Sequence, residues 1–348
     1  MFMTQTLVDR ELKKAISKGI ISGPKSLDDY VQPASIDIPA GAKAYHINHK
    51  FLPFRTRISD IIDSEAIQEV DLSKGRILYK GQTYLIPSLH FEMPETMSGR
   101  ISPKSTIGRA DLMVRSIADN IGLYDTLMPG TNGELWLEVT PQSFNVRLEE
   151  GIALSQIRLF DDAPHLNSSN FPFLYDSSGN PINATRLEHN KVVVTLSIPK
   201  GELMGYEAIE TNEVVDLSKR DNPKESFWKE LTPSKDQYIL EKGKFYILYT
   251  KEGISVPPEN SLEMIPFSHL IGELRVHYAG FFDPGFGYPN PASGVLEVRP
   301  HETIRVFDGQ PICMMEIFEN TGNPELVYGN AGNNYQNQSG PKLSKNFS

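Results

Sequence analysis

One short segment, SPKSTIGR, combines the side-chain types that an anion-binding site needs. Its chemistry-bearing members are Lys104, Ser105, Thr106, Gly108 and Arg109. The two cations offer charge-assisted donors, the hydroxyls offer further hydrogen bonds, and the glycine permits close approach of the backbone, so the set could surround phosphate oxygens. The GxxxxGK[ST] order of a P-loop is missing. A solvated polar turn would have the same composition, so the segment alone leaves both interpretations open.

Two strand-like segments each carry one carboxylate in an otherwise apolar run. Glu138 lies in GELWLEV, and Glu297 lies in SGVLEV. Because strand residues alternate between faces, Glu297 shares a face with Val295. A carboxyl group among apolar neighbours has a raised pKa and can exchange protons near neutral pH. A Glu on a solvated strand face would read the same way, so both interpretations stay open for each residue.

A third segment, AGFFDPG, begins at Ala279 and contains Asp283 in an Asp–Pro–Gly turn. Such a turn after aromatic residues is a common hairpin connection, so a functional role and a turn role are equally compatible with it. The HxE and PCxxC signature of the zinc deaminases is missing, and so is the GxSxG nucleophile elbow. The single cysteine, Cys313, excludes a disulfide framework and any zinc site that needs several thiolates.

Composition and charge narrow the classes of protein further. The 348 residues include 39% hydrophobic and 22% charged residues, which is ordinary for a globular protein, and the net charge is −10. This acidic balance argues against nucleic-acid binding, although a local cluster of cations can still hold a small anion. The N-terminus lacks the apolar region of a secretory signal, and no apolar run has the length of a membrane span. A cytoplasmic protein is therefore expected.

The secondary-structure pattern is helical only at the start. Residues 7–19, LVDRELKKAISKG, place apolar side chains at helical spacing and end at a glycine. Afterwards the chain consists of short apolar runs divided by Gly, Pro, Asn and Asp, which predicts a mainly β protein of barrel or sandwich type.

Several segments occur twice, in the same order. VDLSK stands at residues 70–74 and again at 215–219, LYKGQTYLIP at 78–87 is echoed by LEKGKFYILY at 240–249, and GELWLEVTP is echoed by SGVLEVRP. The offset is about one domain length. The sequence therefore predicts two tandem copies of one β unit.

The predicted organisation has four parts. They are a first copy at residues 1–165 with KSTIGR, a linker at 166–186, a second copy at 187–326 with DPG and VLEV, and a tail at 327–348. The tail is rich in Gly and Asn, as a disordered segment would be, but Tyr328 and Tyr335 indicate that it docks onto the protein.

Together these motifs resemble the dCTP deaminases of the dUTPase-like superfamily, in a tandem two-domain form. DRELKKAISKGII and VQPASIDI are similar to the family's N-terminal helix and following strand, and GRISPKSTIGRADLMVR is similar to its loop of a basic residue, hydroxyls and a later Arg. DPG with VLEV resembles its sugar-side turn and catalytic strand, and YGNAGNNYQNQSG resembles its C-terminal lid. The resemblance implies two dUTPase-like distorted β-barrel, jelly-roll-like domains with a short N-terminal helix.

The resemblance also implies a mechanism. A Glu deprotonates a water molecule that attacks C4 of cytosine, while Ser105 and Arg109 position the water and stabilise developing charge. No zinc is expected, and Mg²⁺ accompanies the triphosphate. The residues implied in substrate binding are Lys104, Thr106, Gly108, Ala279, Asp283, Val295, Tyr328, Tyr335 and Gln338.

Two glutamates compete for the role of base. Trp136 in the first copy stands where the second copy has the smaller Val295, and the second copy has PFSHLIGELR where the first has KSTIGR. We therefore expect a site that joins Ser105 and Arg109 of the first copy to Glu297 of the second. Glu138, the other catalytic candidate, is then a relic or a structural residue.

The expected reaction is hydrolysis of dCTP to dUTP and ammonia, in the supply of dTTP. The alternatives are a dUTP diphosphatase, a bifunctional enzyme that continues to dUMP, and a non-catalytic dNTP-binding regulator, because one fold supports several functions. We expect a homo-oligomer, trimer or dimer, with a small nucleotide as ligand and with no nucleic-acid or membrane partner.

Overall fold

The predicted N-terminal helix is present and spans Asp9–Ser17 (α1). Leu12 and Ala15 are buried on its inner face, and Gly19, with a φ of +76°, ends it in a conformation that suits glycine. Two more helices, Ile58–Glu65 (α2) and Ser105–Gly108 (α3), complete the helical content of the described residues. The computed structural model describes residues 2–23, 26–166, 174–182, 186–188, 190–265, 280–329 and 335–348.

The first half of the chain, residues 2–166, is built almost wholly from strands. They are Phe2–Thr6 (β1), Ile21–Ser22 (β2), Ile36–Pro39 (β3), Lys43–Ile47 (β4), Ala66–Asp71 (β5), Arg76–Leu78 (β6), Tyr84–Glu92 (β7), Met97–Pro103 (β8), Leu112–Ala118 (β9), Thr126–Leu127 (β10), Asn132–Pro141 (β11), Asn145–Leu148 (β12) and Ala153–Leu166 (β13). One sheet has the order β1-β13-β8-β10 with β3 on β13, and the other has the order β5-β4-β7-β11-β9 with β2 on β7.

The second half, residues 174–326, is likewise made of strands. They are Leu174–Tyr175 (β14), Arg186–Glu188 (β15), Lys191–Thr195 (β16), Gly205–Ala208 (β17), Val214–Asp216 (β18), Trp228–Leu231 (β19), Gln237–Leu240 (β20), Tyr246–Ile254 (β21), Asn260–Ile265 (β22), Phe281–Phe282 (β23), Ala292–Val298 (β24), Ile304–Phe307 (β25) and Pro311–Glu319 (β26). The sheet orders are β14-β21-β17-β19 with β24 on β21, β15-β16-β26-β22-β23, and β20-β25. The mainly β prediction is confirmed, and β14 lies inside the predicted linker, where it pairs with β21.

Positions that match between the two sequence copies lie at the same register. Leu85 of β7 is opposite Glu138 of β11, and Ile247 of β21 is opposite Glu297 of β24. This agreement means that the two Glu-bearing strands are placed alike within their own sheets. The duplication itself stays a prediction.

The two halves share one apolar core. Phe144 of the first half packs edge-on against Phe227 and Trp228 of the second, with ring centroids 5.1 and 5.5 Å apart, and Val295 belongs to the same cluster of buried side chains. Strand β12 pairs in parallel with β18 across the junction. Packed side chains and backbone pairing therefore hold the halves in a fixed arrangement, which a site between them requires.

Helix α2 covers one face of the first half. Ile58 and Ile62 pack on a small core that contains Trp136 and Ile117. The segment PFSHLIGELR, predicted as the second copy's counterpart of KSTIGR, lies outside the described residues. In the described part of the chain, no helix has the length and apolar character needed to cross a bilayer.

Candidate active site

A cavity of about 550 Å³ lies between the two halves and is also lined by the C-terminal tail, residues 327–348. Ten of the residues predicted from the sequence line it: Lys104, Ser105, Thr106, Arg109, Asp283, Val295, Glu297, Tyr328, Tyr335 and Gln338. Gly108 is buried within α3 beside them, whereas Ala279 lies outside the described residues. The structure thus brings together residues that are almost 200 positions apart in the chain.

The KSTIGR segment is a helical turn rather than the polar loop that its sequence suggested. The carbonyl of Lys104 accepts hydrogen bonds from the amides of Ile107 and Gly108 at 2.8 and 3.0 Å, and the amide of Arg109 donates to Ser105 at 3.0 Å. Because Ser105 and Arg109 are four residues apart, one turn of α3 places both on the same side. That side faces the cavity.

Glu297 is a buried carboxyl group on β24. It is only 4% exposed, and Val295 on the same face of the strand also lines the cavity. Burial raises the pKa of Glu297 to about 7, and the positive charge of Arg109 acts in the opposite direction. The inward-facing interpretation of this Glu is therefore confirmed, and its carboxyl group can exchange protons near neutral pH.

Arg109 is fixed by contacts on its outer side. One terminal nitrogen donates to Gln338 Oε1 at 3.3 Å and to the Lys342 carbonyl at 3.0 Å, and the guanidinium carbon lies 3.9 Å from the centre of the Tyr335 ring. The Nε of Arg109 is buried, has no hydrogen-bond partner in the described structure, and lies 3.9 Å from Glu297 Oε1. An unsatisfied donor therefore faces the carboxyl group across the cavity.

The C-terminal tail docks onto the cavity, in agreement with the inference from its two tyrosines. Tyr335 and Thr106 share a hydrogen bond of 3.1 Å between their hydroxyl groups, and Gln338 Nε2 donates to the carbonyl of Ser293 at 2.5 Å. The amide of Tyr328 donates to Pro284 at 2.8 Å. The tail is thus tied to α3, to β24 and to the Asp–Pro–Gly turn.

Asp283 is buried in the wall of the cavity, and its Oδ1 has no hydrogen-bond partner in the described structure. Burial raises the pKa of its carboxyl group, whereas the positive charge of Arg158 and a hydrogen bond from the Ala34 amide act against this rise. An unpartnered acceptor at the cavity wall suits a ligand hydroxyl group.

Sequence reasoning missed Arg158, which lies on β13 of the first half and is completely buried. It donates to the carbonyl of Leu262 at 3.0 Å, its guanidinium lies 4.2 Å from the centre of the Phe281 ring, and one nitrogen lies 3.9 Å from Asp283 Oδ1. An arginine inside the apolar run LSQIRLF was a signal of the same kind as the two glutamates. Arg158 supplies the counter-charge behind the turn that carries Asp283.

Cations at the other end of the cavity were also missed, except for Lys104. Lys104 Nζ donates to Asp37 Oδ1 at 2.5 Å, and Arg220 and Lys345 line the same region. Burial lowers the pKa of Lys345, and the positive charges of Arg220 and Lys104 lower it further. The cavity therefore has one end with carboxyl groups and another with several positive charges.

Glu138 lies away from this cavity. It is buried on β11, where Lys50 Nζ donates to it at 2.8 Å and the Tyr124 hydroxyl donates at 3.3 Å. Trp136 packs beside it under α2. The structure thus gives Glu138 a structural ion pair instead of joining it to Ser105 and Arg109.

Comparison with known proteins decides the family. The profile of the 2'-deoxycytidine 5'-triphosphate deaminase N-terminal domain matches residues 4–163, and that of the C-terminal domain matches residues 178–347. The crystal structure of 2'-deoxycytidine 5'-triphosphate deaminase from Agrobacterium tumefaciens aligns with a TM-score of 0.82 and 32% identity, over 92% of this chain and 99% of that one. The chain belongs to the dCTP deaminase family. It is therefore an enzyme, and the predicted dCTP deaminase fold is confirmed.

Smaller dCTP deaminases match part of the chain. The protein named "dCTP deaminase, dUMP-forming" from Corynebacterium glutamicum (strain R) is 27% identical over 158 residues, which is 44% of this chain and 79% of that protein. The protein of the same name from Corynebacterium jeikeium is 30% identical over 165 residues, 44% of this chain and 80% of that protein. These dCTP deaminases correspond in length to about one half of the tandem chain.

Proposed function

We propose that the cavity between the halves hydrolyses dCTP at C4 of the cytosine ring, with Glu297 as the general base. Glu297 takes a proton from water, the resulting hydroxide adds to C4, and the proton then passes to the amino group, which leaves as ammonia. The observation that carries this proposal is the buried Glu297, whose pKa is about 7, in the same cavity as Ser105 and Arg109. A carboxyl group with this pKa can both accept and return a proton at neutral pH.

The neighbouring side chains fit the other requirements of the reaction. The free Nε of Arg109 and the hydroxyl of Ser105 can donate to the attacking oxygen and stabilise the charge that develops on it. Val295 offers an apolar surface to the ring, and the free Oδ1 of Asp283 can accept a hydrogen bond from the 3'-hydroxyl group of the sugar. These donors and acceptors are already fixed by the contacts of the tail and of Arg158, so they need little reorganisation.

The phosphate groups of the nucleotide are proposed to lie at the cationic end. The first-half residues there are Lys104, Thr106 and the backbone at Gly108, and the tail residues are Tyr328, Tyr335 and Gln338. Mg²⁺ is proposed to enter with the nucleotide as part of the substrate, bound by phosphate oxygens. Homo-oligomeric assembly and a cytoplasmic location stay predictions.

A second hydrolysis, of dUTP to dUMP and pyrophosphate, is favoured by two observations. The Corynebacterium relatives are named as dUMP-forming, and the unpartnered carboxylate oxygen of Asp283 is an acceptor that could orient a water molecule. The sequence alone favoured dUTP as the final product. We propose instead that dCTP and two water molecules give dUMP, pyrophosphate and ammonia. Membership of an enzyme family removes the non-catalytic regulator from the alternatives.

Product counting tests both steps. The full chain is incubated with dCTP and, separately, with dUTP, and ammonia and pyrophosphate are measured. Equal amounts of ammonia and pyrophosphate from dCTP are expected, with dUMP as the nucleotide product. Ammonia without pyrophosphate would leave deamination intact and overturn the second step, whereas no ammonia from dCTP would overturn the proposed function.

A further inference from the structure

A bracket of hydrogen bonds joins the turn at residues 217–222 to the end of the C-terminal tail. Asn222 donates from its side chain to the carbonyl of Asn346 at 2.7 Å, and Asn346 donates from its side chain to the carbonyls of Leu217 and Lys219 at 3.0 and 2.7 Å. Both asparagines are nearly fully buried. Buried amides that are satisfied in this way hold two sequence-distant segments in one geometry.

The bracket carries two cations to the rim of the cavity. Arg220 lies between the bonded residues of the turn, and Lys345 directly precedes Asn346. The amide of Lys345 also donates to the Tyr335 hydroxyl at 3.2 Å, and that hydroxyl contacts Thr106 of α3. The positions of both cations are therefore fixed relative to α3, although they come from the second half and the tail.

The charges at this rim are not balanced by neighbouring carboxylates. Lys104 is paired with Asp37, but among the described residues no carboxylate lies within ion-pair distance of Arg220 or Lys345. Lys345 is half-buried, and the charges of Arg220 and Lys104 are close enough to disfavour its protonated form. Three cations that repel one another at the wall of a cavity favour a multiply charged anion between them.

We propose that Arg220 and Lys345 bind the terminal phosphates of the substrate and so make the enzyme select triphosphates over monophosphates. This inference rests on the proposed function, since it takes the base end of the nucleotide to lie at Glu297. Lys104 and α3 lie between Glu297 and the bracket, so a monophosphate would reach Lys104 and only a longer phosphate chain would reach both bracket cations. Neither residue belongs to the sequence motifs described above.

Equilibrium binding to an inactive protein tests the proposal. In an E297Q background, the dissociation constants of dCTP and dCMP are measured by calorimetry for R220A, K345A and the double variant. Charge-assisted hydrogen bonds contribute about 1.5–3 kcal/mol each, so each substitution is expected to weaken dCTP binding roughly 10- to 100-fold and to leave dCMP binding little changed. K229A, which removes an exposed lysine on β19 outside the cavity, serves as the matched control, and K345R is expected to restore most of the affinity.

The outcomes separate this inference from the proposed function. If the R220A and K345A proteins bind dCTP as tightly as the parent, or lose affinity for dCMP and dCTP equally, the inference is overturned. Ammonia release from dCTP by the otherwise unchanged chain tests the proposed function independently. Thermal unfolding of each variant, compared with K229A, shows whether a loss of affinity comes from a loss of structure, and N346A repeats the test because it releases the bracket while keeping both cations.

Discussion

At the scale of single residues, two glutamates with the same local sequence have different surroundings. Glu297 faces Arg109 across a cavity at 3.9 Å, whereas Glu138 is neutralised by Lys50 at 2.8 Å beside the large side chain of Trp136. The strand pattern LEV could not distinguish them, because the difference comes from residues of other elements. Only the smaller neighbour, Val295, indicated which of the two would be accessible to a ring.

Replacing each glutamate in turn tests this difference. E297Q should lower kcat for ammonia release by roughly 10²–10⁴-fold, the usual contribution of a general base. E138Q should keep most of the activity and lose stability, because Lys50 is left without its partner. Steady-state kinetics and thermal unfolding of both variants give the comparison. An inactive, stably folded E138Q together with an active E297Q would reverse the assignment.

The raised pKa of Glu297 predicts the direction of the pH dependence. The base must be ionised to accept a proton from water, so kcat/KM should rise with pH through about 7 and level off above it. Arg109 favours the ionised form, so R109Q should move this acidic limb to higher pH.

A direct spectroscopic signal separates this titration from that of the nucleotide phosphates. In the ligand-free protein, the infrared band of a protonated carboxyl group should fade as the pH passes through about 7, and this component should be missing in E297Q. A kinetic limb near pH 7 without the infrared change would assign the limb to the substrate.

At the scale of elements, helix α1 holds the segment that leads into the tail. Asp9 is completely buried, and its carboxylate accepts the amides of Glu325 and Leu326 at 3.0 and 2.9 Å. The sequence predicted both the helix and a docked tail, and it showed no connection between them. A short strand-forming or helical pattern specifies an element, but a carboxylate that accepts amides 316 residues away has no local signature.

Removing this anchor should loosen the tail. D9A leaves two backbone donors without their acceptor, at a cost of about 1–3 kcal/mol each if they stay buried. We expect faster proteolytic cleavage before Tyr328 and a higher KM for dCTP, measured by limited proteolysis and initial rates. D63A, an exposed position on α2, is the control, and equal cleavage of the two variants would show that Asp9 does not anchor the tail.

The short helix α3 shows a similar limit of sequence reasoning. The residue types of KSTIGR identified an anion site, but the segment reads as a loop because glycine and hydroxyl residues disfavour helices. The tail and β24 pack against it and keep the single turn. The order of Ser105 and Arg109 could be read from the sequence, whereas their common side could not.

At the scale of the whole molecule, the halves are joined by core packing, by β12 and β18, and by Arg158. The fold class, the N-terminal helix and most of the cavity residues followed from sequence motifs. Arg158, Arg220, Lys345 and Lys50 did not, because each acts on a residue far away in the chain. Their roles depend on how the halves meet.

Arg158 should couple stability between the halves. R158M leaves Asp283 buried without a counter-charge and should lower the free energy of unfolding by about 3–5 kcal/mol. In R158M/D283N the neutral amide no longer needs that charge, so part of the loss should be regained. Chemical denaturation of the two single variants and the double variant measures the coupling; strictly additive losses would show that the two side chains do not interact.

The arrangement of the cavity has a consequence for synthesis of the protein. Its wall needs Gln32 from the start of the chain, Glu297 from the second half and Asn346 from the tail. A ribosome can therefore complete both β units and still have made no enzyme, since the last wall residues emerge only after residue 340. Shortened products of translation would be folded and inert, and each finished chain would acquire its activity in a single step.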